Sequence, residues 1–155
     1  MDCPFCGSSQ IMVSNSRPNS KRNKIWRRRK CLECNNTFTT YENINLNYLT
    51  VIKKSGKKER FSRIKLYASI YHSSLDKKGV DRGDASLFTE KIVSEVEGVL
   101  LNLRRKSVST GEIKETVLKI LRKRSPDTFL RYLAYWEGVD QRKLLSSVRR
   151  YFIEK

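Results

Sequence analysis

Four cysteines fall in two pairs, Cys3-Pro4-Phe5-Cys6 and Cys31-Leu32-Glu33-Cys34, with 24 residues between them. A Cys-x-x-Cys knuckle turns two thiolates toward one point, and two knuckles complete the tetrahedron that zinc prefers. A closed four-thiolate site leaves no open position for chemistry, so Cys3, Cys6, Cys31 and Cys34 are expected to hold one structural zinc ion. The loop between the knuckles exceeds the roughly 15–20 residues common in such sites and is expected to form an excursion. Competing explanations are weaker. A redox Cys-x-x-Cys belongs in a βαβ context, which is absent here. Two disulfides need an oxidising compartment, and no apolar signal core surrounds Cys3. Iron is the main competitor for the same ligands.

Residues 1–42 hold all four cysteines and show no helical periodicity. Short strand-like pieces run over 11–13, 25–30 and 37–41. So short a segment cannot bury enough apolar surface to fold alone, and metal binding is expected to supply most of its folding energy. A linker is expected over 43–48, then a second domain over 49–139 and a C-terminal helix over 140–155. The fold class is α+β: a small β zinc ribbon, then a mainly helical domain opened by a β-hairpin.

Lys and Arg number 33 against 16 Asp and Glu, a formal net charge of +17. A compact body with that charge repels itself, which points to a polyanionic partner, nucleic acid first. A generic basic surface is the alternative. No apolar run reaches the roughly 20 residues of a membrane span, so no membrane partner and a cytoplasmic location are expected.

The basic residues concentrate between the knuckles, at Arg17, Lys21, Arg22, Lys24, Arg27, Arg28, Arg29 and Lys30. The run Ile25-Trp26-Arg27-Arg28-Arg29-Lys30 abuts Cys31, so bound zinc would hold it in place. In an extended strand Arg27 and Arg29 share one face, and Arg28 and Lys30 the other. One face would track phosphates while the other reads a groove, since the planar guanidinium grips either phosphate or a guanine edge. Trp26 either stacks on a base or covers the small core, with covering favoured. Single-stranded nucleic acid or RNA would call for more exposed aromatics among the charges, so the balance tips toward duplex DNA.

In the second region, segments 49–53 and 58–61 flank Lys54-Ser55-Gly56-Lys57 as a hairpin would. A first helix carries Ile64, Tyr67 and Tyr71 at helical spacing, with Leu66 and Ile70 beside them. A second carries Phe88, Ile92, Val96, Val99 and Leu103, with Asp81 and Asp84 as turn and cap residues. The third opens on a capping box, Ser109-Thr110-Gly111-Glu112. The fourth opens on Ser125-Pro126, buries Phe129, Leu130, Leu133 and Trp136, and stops at Gly138. A fifth starts at Asp140 and buries Leu144, Val148 and Tyr151. No Walker A or GxGxxG pattern occurs. His72 is the only histidine, no catalytic set is visible, and no enzyme activity is expected.

Taken together, Cys3-Pro4-Phe5-Cys6, Asn15-Ser16-Arg17, the arginine run into Cys31 and Phe38-Thr39-Thr40-Tyr41-Glu42 resemble the NrdR family, bacterial repressors of ribonucleotide reductase genes. The stretch from Val51 through Lys53-Lys54-Ser55-Gly56-Lys57 to Glu59-Arg60-Phe61 is similar to the opening of an ATP-cone. Lys65-Leu66 and Phe129-Leu130-Arg131-Tyr132 are similar to its helix lysine and late aromatic segment. The chain departs from the family pattern at Asn15, Trp26, Thr37, Ser55, Arg60, Ser62 and Phe129.

The resemblance implies a zinc ribbon joined to an ATP-cone, with ATP or dATP as regulatory ligands, homo-oligomers that depend on nucleotide, and repression at paired duplex-DNA operator boxes on the nucleoid. It implies that Lys53 and Lys65 meet phosphates, that Val51 packs near the base, and that Glu59 accepts a ribose or structural hydrogen bond. Lys54, Gly56, Lys57, Phe129 and Tyr132 complete the implied nucleotide set. From the residues alone, the four lysines would neutralise a triphosphate and Gly56 would allow close backbone approach. The rival reading is a zinc-ribbon protein that binds RNA or RNA polymerase, its helical half an interaction module.

Overall fold

The computed structural model describes residues 1–19, 24–75, 79, 81–138 and 141–152. It divides into two compact units, Met1–Asn45 and Leu46–Lys155.

The first unit is a three-stranded antiparallel sheet in the order β1-β2-β3, with β1 Ile11–Pro18, β2 Lys24–Cys31 and β3 Thr37–Asn43. The strands run longer than the apolar pieces alone suggest, because backbone pairing continues through polar residues. A bulge between Val13 and Asn15 shifts the register, and Ser14 Oγ donates to the Arg28 carbonyl at 3.1 Å. Each knuckle closes on a left-handed residue directly after its second cysteine: Gly7 at φ 74° and Asn35 at φ 59°. Gly adopts that region without a Cβ penalty, and Asn is among the few other residues that do so. The only fully buried side chains of this unit, among the described residues, are Cys3 and Cys31. The thiol cluster thus occupies the place of a hydrophobic core.

The second unit begins with a short 3-10 turn, Leu46–Tyr48, and the hairpin of β4 Thr50–Ile52 and β5 Lys58–Arg60. The hairpin turn closes where Gly56, at φ 80°, donates to the Lys53 carbonyl at 2.9 Å. A third strand, β6 Ser107–Ser109, pairs parallel to β4 and makes β4 central. No local pattern announces β6, because its partner lies some fifty residues upstream. Among the described residues five helices complete the unit: α1 Arg63–Leu75, α2 Arg82–Asn102, α3 Thr110–Arg124, α4 Pro126–Glu137 and α5 Gln141–Phe152. The fold class is α+β, as the sequence leads one to expect.

The caps form as their local chemistry dictates. Asp81 accepts from the Gly83 N–H at 2.7 Å. Ser109 and Glu112 exchange the reciprocal bonds of a capping box. Ser125 caps α4, whose first residue is Pro126, and Gly138 ends it at φ 71°. The expected start of the last helix at Asp140 lies outside the described residues.

Two apolar stripes differ from expectation. On α1 the buried face is Leu66 and Ile70 with Ser73 and Ser74, while Ile64 is 81% exposed. On α2 the core takes Ala85, Thr89, Ile92, Val93, Val96 and Leu100, and Val99 and Leu103 turn outward. In both, several residues fit a helical period, and packing against the neighbouring helices selects which set is buried. On α4, Leu130 is likewise half exposed. The core is continuous from Leu49 and Val51 through Ile70, Val93, Val117 and Leu121 to Phe129 and Leu133. Among the described residues no helix is long and apolar enough to cross a membrane.

Candidate metal centre, basic face and nucleotide hollow

The two knuckles bring the four thiol sulfurs within 4.8 Å of one another. Cys3 Sγ lies 3.6 Å from Cys34 Sγ, and Cys6 Sγ lies 3.6 Å from Cys31 Sγ. Tetrahedral zinc with Zn–S near 2.3 Å sets its sulfurs about 3.8 Å apart, so the cluster fits that ion. The separations are far beyond the roughly 2.05 Å of a disulfide, and all four cysteines are unbridged. Within the cluster the Asn36 backbone N–H holds the Cys34 thiol down at about 7, while at Cys6 the Ser8 backbone N–H is outweighed by the Cys34 thiol and by burial, which push that group up to about 12. The Asn36 side-chain amide reaches the Cys34 sulfur at 3.5 Å. Such outer hydrogen bonds orient and stabilise thiolate ligands.

The arginine strand β2 is the central strand of the ribbon, and it ends on the ligand Cys31. Directly opposed residues of neighbouring strands share a face. Arg17, Trp26 and Tyr41 form one such row, and Asn15, Arg28 and Thr39 the next. Lys24 and Lys30 lie on that same face by the alternation of β2. Arg28 is exposed and donates to Thr37 Oγ1 at 2.7 Å. The opposite face carries Arg27 and Arg29. Arg27 Nε makes an ion pair with Glu42 Oε1 at 2.8 Å, and Arg29 Nε donates to Thr40 Oγ1 at 2.9 Å. Trp26 is half-buried and, with Arg17, Lys24 and Tyr41, lines a hollow of about 290 Å³. Lys21 and Arg22 lie outside the described residues.

In the second unit a hollow of about 350 Å³ opens between the β4–β5 hairpin and helices α1, α3 and α4. That volume is within the range of small-molecule sites. Val51 and Glu59 are cross-strand partners, so they share a face, and Lys53 follows on it two residues after Val51. Lys53 Nζ lies 2.9 Å and Lys65 Nζ 3.1 Å from the same oxygen, Glu59 Oε2. Hydrogen bonds from Lys53 and then Lys65 hold the Glu59 carboxyl below the usual glutamate range. Ser62, directly before α1, and Thr110, the first residue of α3, border the hollow. Unpaired amides and the helix dipole favour anions at such ends.

Of the residues singled out from the sequence, Val51, Lys53, Glu59, Lys65 and Tyr132 line this hollow. Lys54, Gly56 and Lys57 belong to the exterior hairpin turn and do not line it. Phe129 is not brought there. It is fully buried, and its ring meets Tyr151 and Phe152 edge-on at 5.3 Å each. Its packing against α5 explains why a phenyl ring suffices at this position.

Nine lining residues escaped the sequence-based set, Tyr135, Trp136 and Ser69 among them. Tyr135 and Trp136 flank the hollow with rings 6.1 Å apart, and Ser69 lines it from α1. Trp136 Nε1 is buried without a hydrogen bond of normal geometry among the described residues. An unpartnered buried donor is costly unless a ligand acceptor meets it. Burial also pushes the Tyr132 phenol up. The signal for Tyr135 and Trp136 was present: they stand three and four residues after Tyr132, which puts all three on one side of α4.

Comparison with known proteins gives a consistent result. The model described as the N-terminal domain of "Transcriptional repressor NrdR-like" proteins matches residues 1–42, and the ATP cone domain matches residues 49–144. The chain is 33% identical to the "Transcriptional repressor NrdR" of Caldicellulosiruptor bescii, over 100% of this chain and 99% of that one. It is 34% identical to the protein of the same name from Lachnoclostridium phytofermentans, over 97% and 95% of the two chains. With that of Agrobacterium fabrum the identity is 39%, over 88% and 82%.

Proposed function

Because the chain belongs to the NrdR-like family, transcriptional repressors that join a zinc ribbon to an ATP-cone, we propose that it represses transcription by binding duplex operator boxes upstream of ribonucleotide reductase genes, under the control of ATP and dATP. The relatives are named for repression and not for catalysis. The observation that carries the reading is the continuity of Cys31 with the arginine strand β2. One closed zinc site orders the basic strand, and the charges on it meet phosphates.

In the second unit the residues fit an adenine nucleotide. Lys53 and Lys65 take the phosphates, aided by the first turns of α1 and α3. The rings of Tyr135 and Trp136 and the side chain of Val51 bound the base. When bound, the nucleotide supplies negative charge that competes with Glu59 for the two lysines. Homo-oligomers hold ribbons in pairs, and pairing raises the effective concentration of the second ribbon once the first is bound. A nucleotide shifts that assembly only by binding one oligomer better than another. The ribbon unit at 1–42 and the nucleotide unit at 49–139, with the helix beyond, divide these tasks.

Sequencing of DNA fragments recovered with the protein from cells tests the reading. Enrichment of paired boxes upstream of ribonucleotide reductase genes is expected. Recovery of RNA without DNA, or of DNA fragments with no shared site, overturns it.

A further inference from the structure

The two faces of the ribbon are chemically unequal, and the difference comes from a single carboxylate. Glu42 is the only acidic residue on the three strands, and its ion pair with Arg27 spends the charge of that face on the protein itself. Arg29 beside it is partly buried and donates to Thr40. The other face carries Arg17, Lys24, Arg28 and Lys30 with no acidic residue among the strands. In the middle of these cations stand two rings, Trp26 and Tyr41, opposed across β2 and β3. Tyr41 is 64% exposed, and both rings line the hollow with Arg17. Neither ring is needed over the metal centre, which lies at the Cys31 end of β2.

We propose that this chain meets duplex DNA with the Arg17–Trp26–Tyr41 face, Arg28 and Lys30 taking backbone phosphates while Trp26 and Tyr41 press against sugars and base edges in the groove between them. Arg27 and Arg29 keep a structural role, tying β2 to β3. The inference rests on the duplex-DNA reading above and refines it. Rings set among cations also suit a single strand, so that partner is one arm of the test, and the proposal commits to duplex because only two rings stand among four cations on this face. Phosphates need charge at regular spacing, and apolar side chains inserted at a groove gain contact where bases are easily unstacked.

The test uses the full-length zinc-loaded protein and a mixed-sequence synthetic duplex several helical turns long, titrated across a salt series. Zinc content of each variant is measured alongside, as a control for ribbon folding. Arg28→Ala and Lys30→Ala are expected to weaken binding and to lower the salt slope by about one unit each. The double variant Arg27→Ala/Arg29→Ala is expected to keep the slope of the parent. Trp26→Ala is expected to lose about ten-fold in affinity, and Trp26→Phe to retain most of it. Duplex should quench tryptophan emission in the parent and not in Trp26→Phe, which leaves only the other of the two tryptophans. Loss of slope in Arg27→Ala/Arg29→Ala with none in Arg28→Ala, or unaltered emission and affinity on changing Trp26, overturns the face assignment while duplex binding stands. Absence of duplex binding by the parent overturns both readings, as does stronger binding of a single strand or RNA through the same residues.

Discussion

Lys53 and Lys65 approach one and the same carboxylate oxygen of Glu59, at 2.9 and 3.1 Å, although twelve positions separate them in the chain. The acid comes from β5 and the lysines from the end of β4 and the first turn of α1. Glu59 thereby keeps two like charges close together at the rim of the hollow.

That arrangement predicts an acid limit on the second unit. The Glu59 carboxyl is held below the ordinary value of 4.5 by Lys53 and then Lys65. A depressed carboxylate contributes stability that is complete above its unfolded value and lost as pH falls through the folded one. Thermal unfolding followed below pH 4.5 should therefore fall less steeply for Glu59→Gln than for the parent. Parallel curves for the two proteins would show that the pairing contributes nothing.

Lys53→Ala and Lys65→Ala should each weaken ATP and dATP binding while zinc content stays at one ion per chain. Light scattering with each nucleotide should give different mass distributions for the parent and a blunted response for the variants. Where assembly and operator binding are coupled by about 1–3 kcal/mol, the parent's affinity for operator DNA shifts 5- to 150-fold between nucleotides. Equal masses and equal affinities with every nucleotide, despite measured nucleotide binding, would refute the switch.

Metal removal should act on one unit only. Cys31→Ser breaks the closed four-thiolate set and should lose zinc, the ordered ribbon and duplex binding. The helical unit has its own core and should keep its far-ultraviolet circular dichroism and its unfolding midpoint. Full zinc content in that variant would remove the four-cysteine assignment.

Phe129→Ala should destabilise the second unit by about 3–5 kcal/mol, because the ring is fully buried between α4 and α5. Ile64→Ala, at an 81% exposed site, should change stability by no more than about 0.5 kcal/mol. Urea titration distinguishes the two, and similar losses would contradict the burial described above.

Ser109→Ala removes half of the capping box on α3 and should cost about 1 kcal/mol in the same titration. A neutral result would mean that the parallel strand β6 holds the start of α3 without the cap.

What the sequence alone determined lies within a few residues of chain. Cys-x-x-Cys knuckles, the Ser109–Glu112 box, Ser125-Pro126 and the stop at Gly138 are set by spacing of one to four residues, where geometry is local and backbone chemistry decides. Membership of the family was legible for the same reason, since its motifs are short strings. Partners distant in sequence were not. The parallel pairing of β6 with β4, the choice of Leu66 and Ile70 over Ile64, and the burial of Phe129 under Tyr151 and Phe152 follow from which surfaces can be packed together. The arginine strand shows the division most clearly. Alternation put Arg27 and Arg28 on opposite faces, but only the β2–β3 register brought Glu42 to Arg27 and left Arg28 exposed beside Trp26. Which charges a protein spends on itself depends on contacts between strands, and those exist only once the chain has folded.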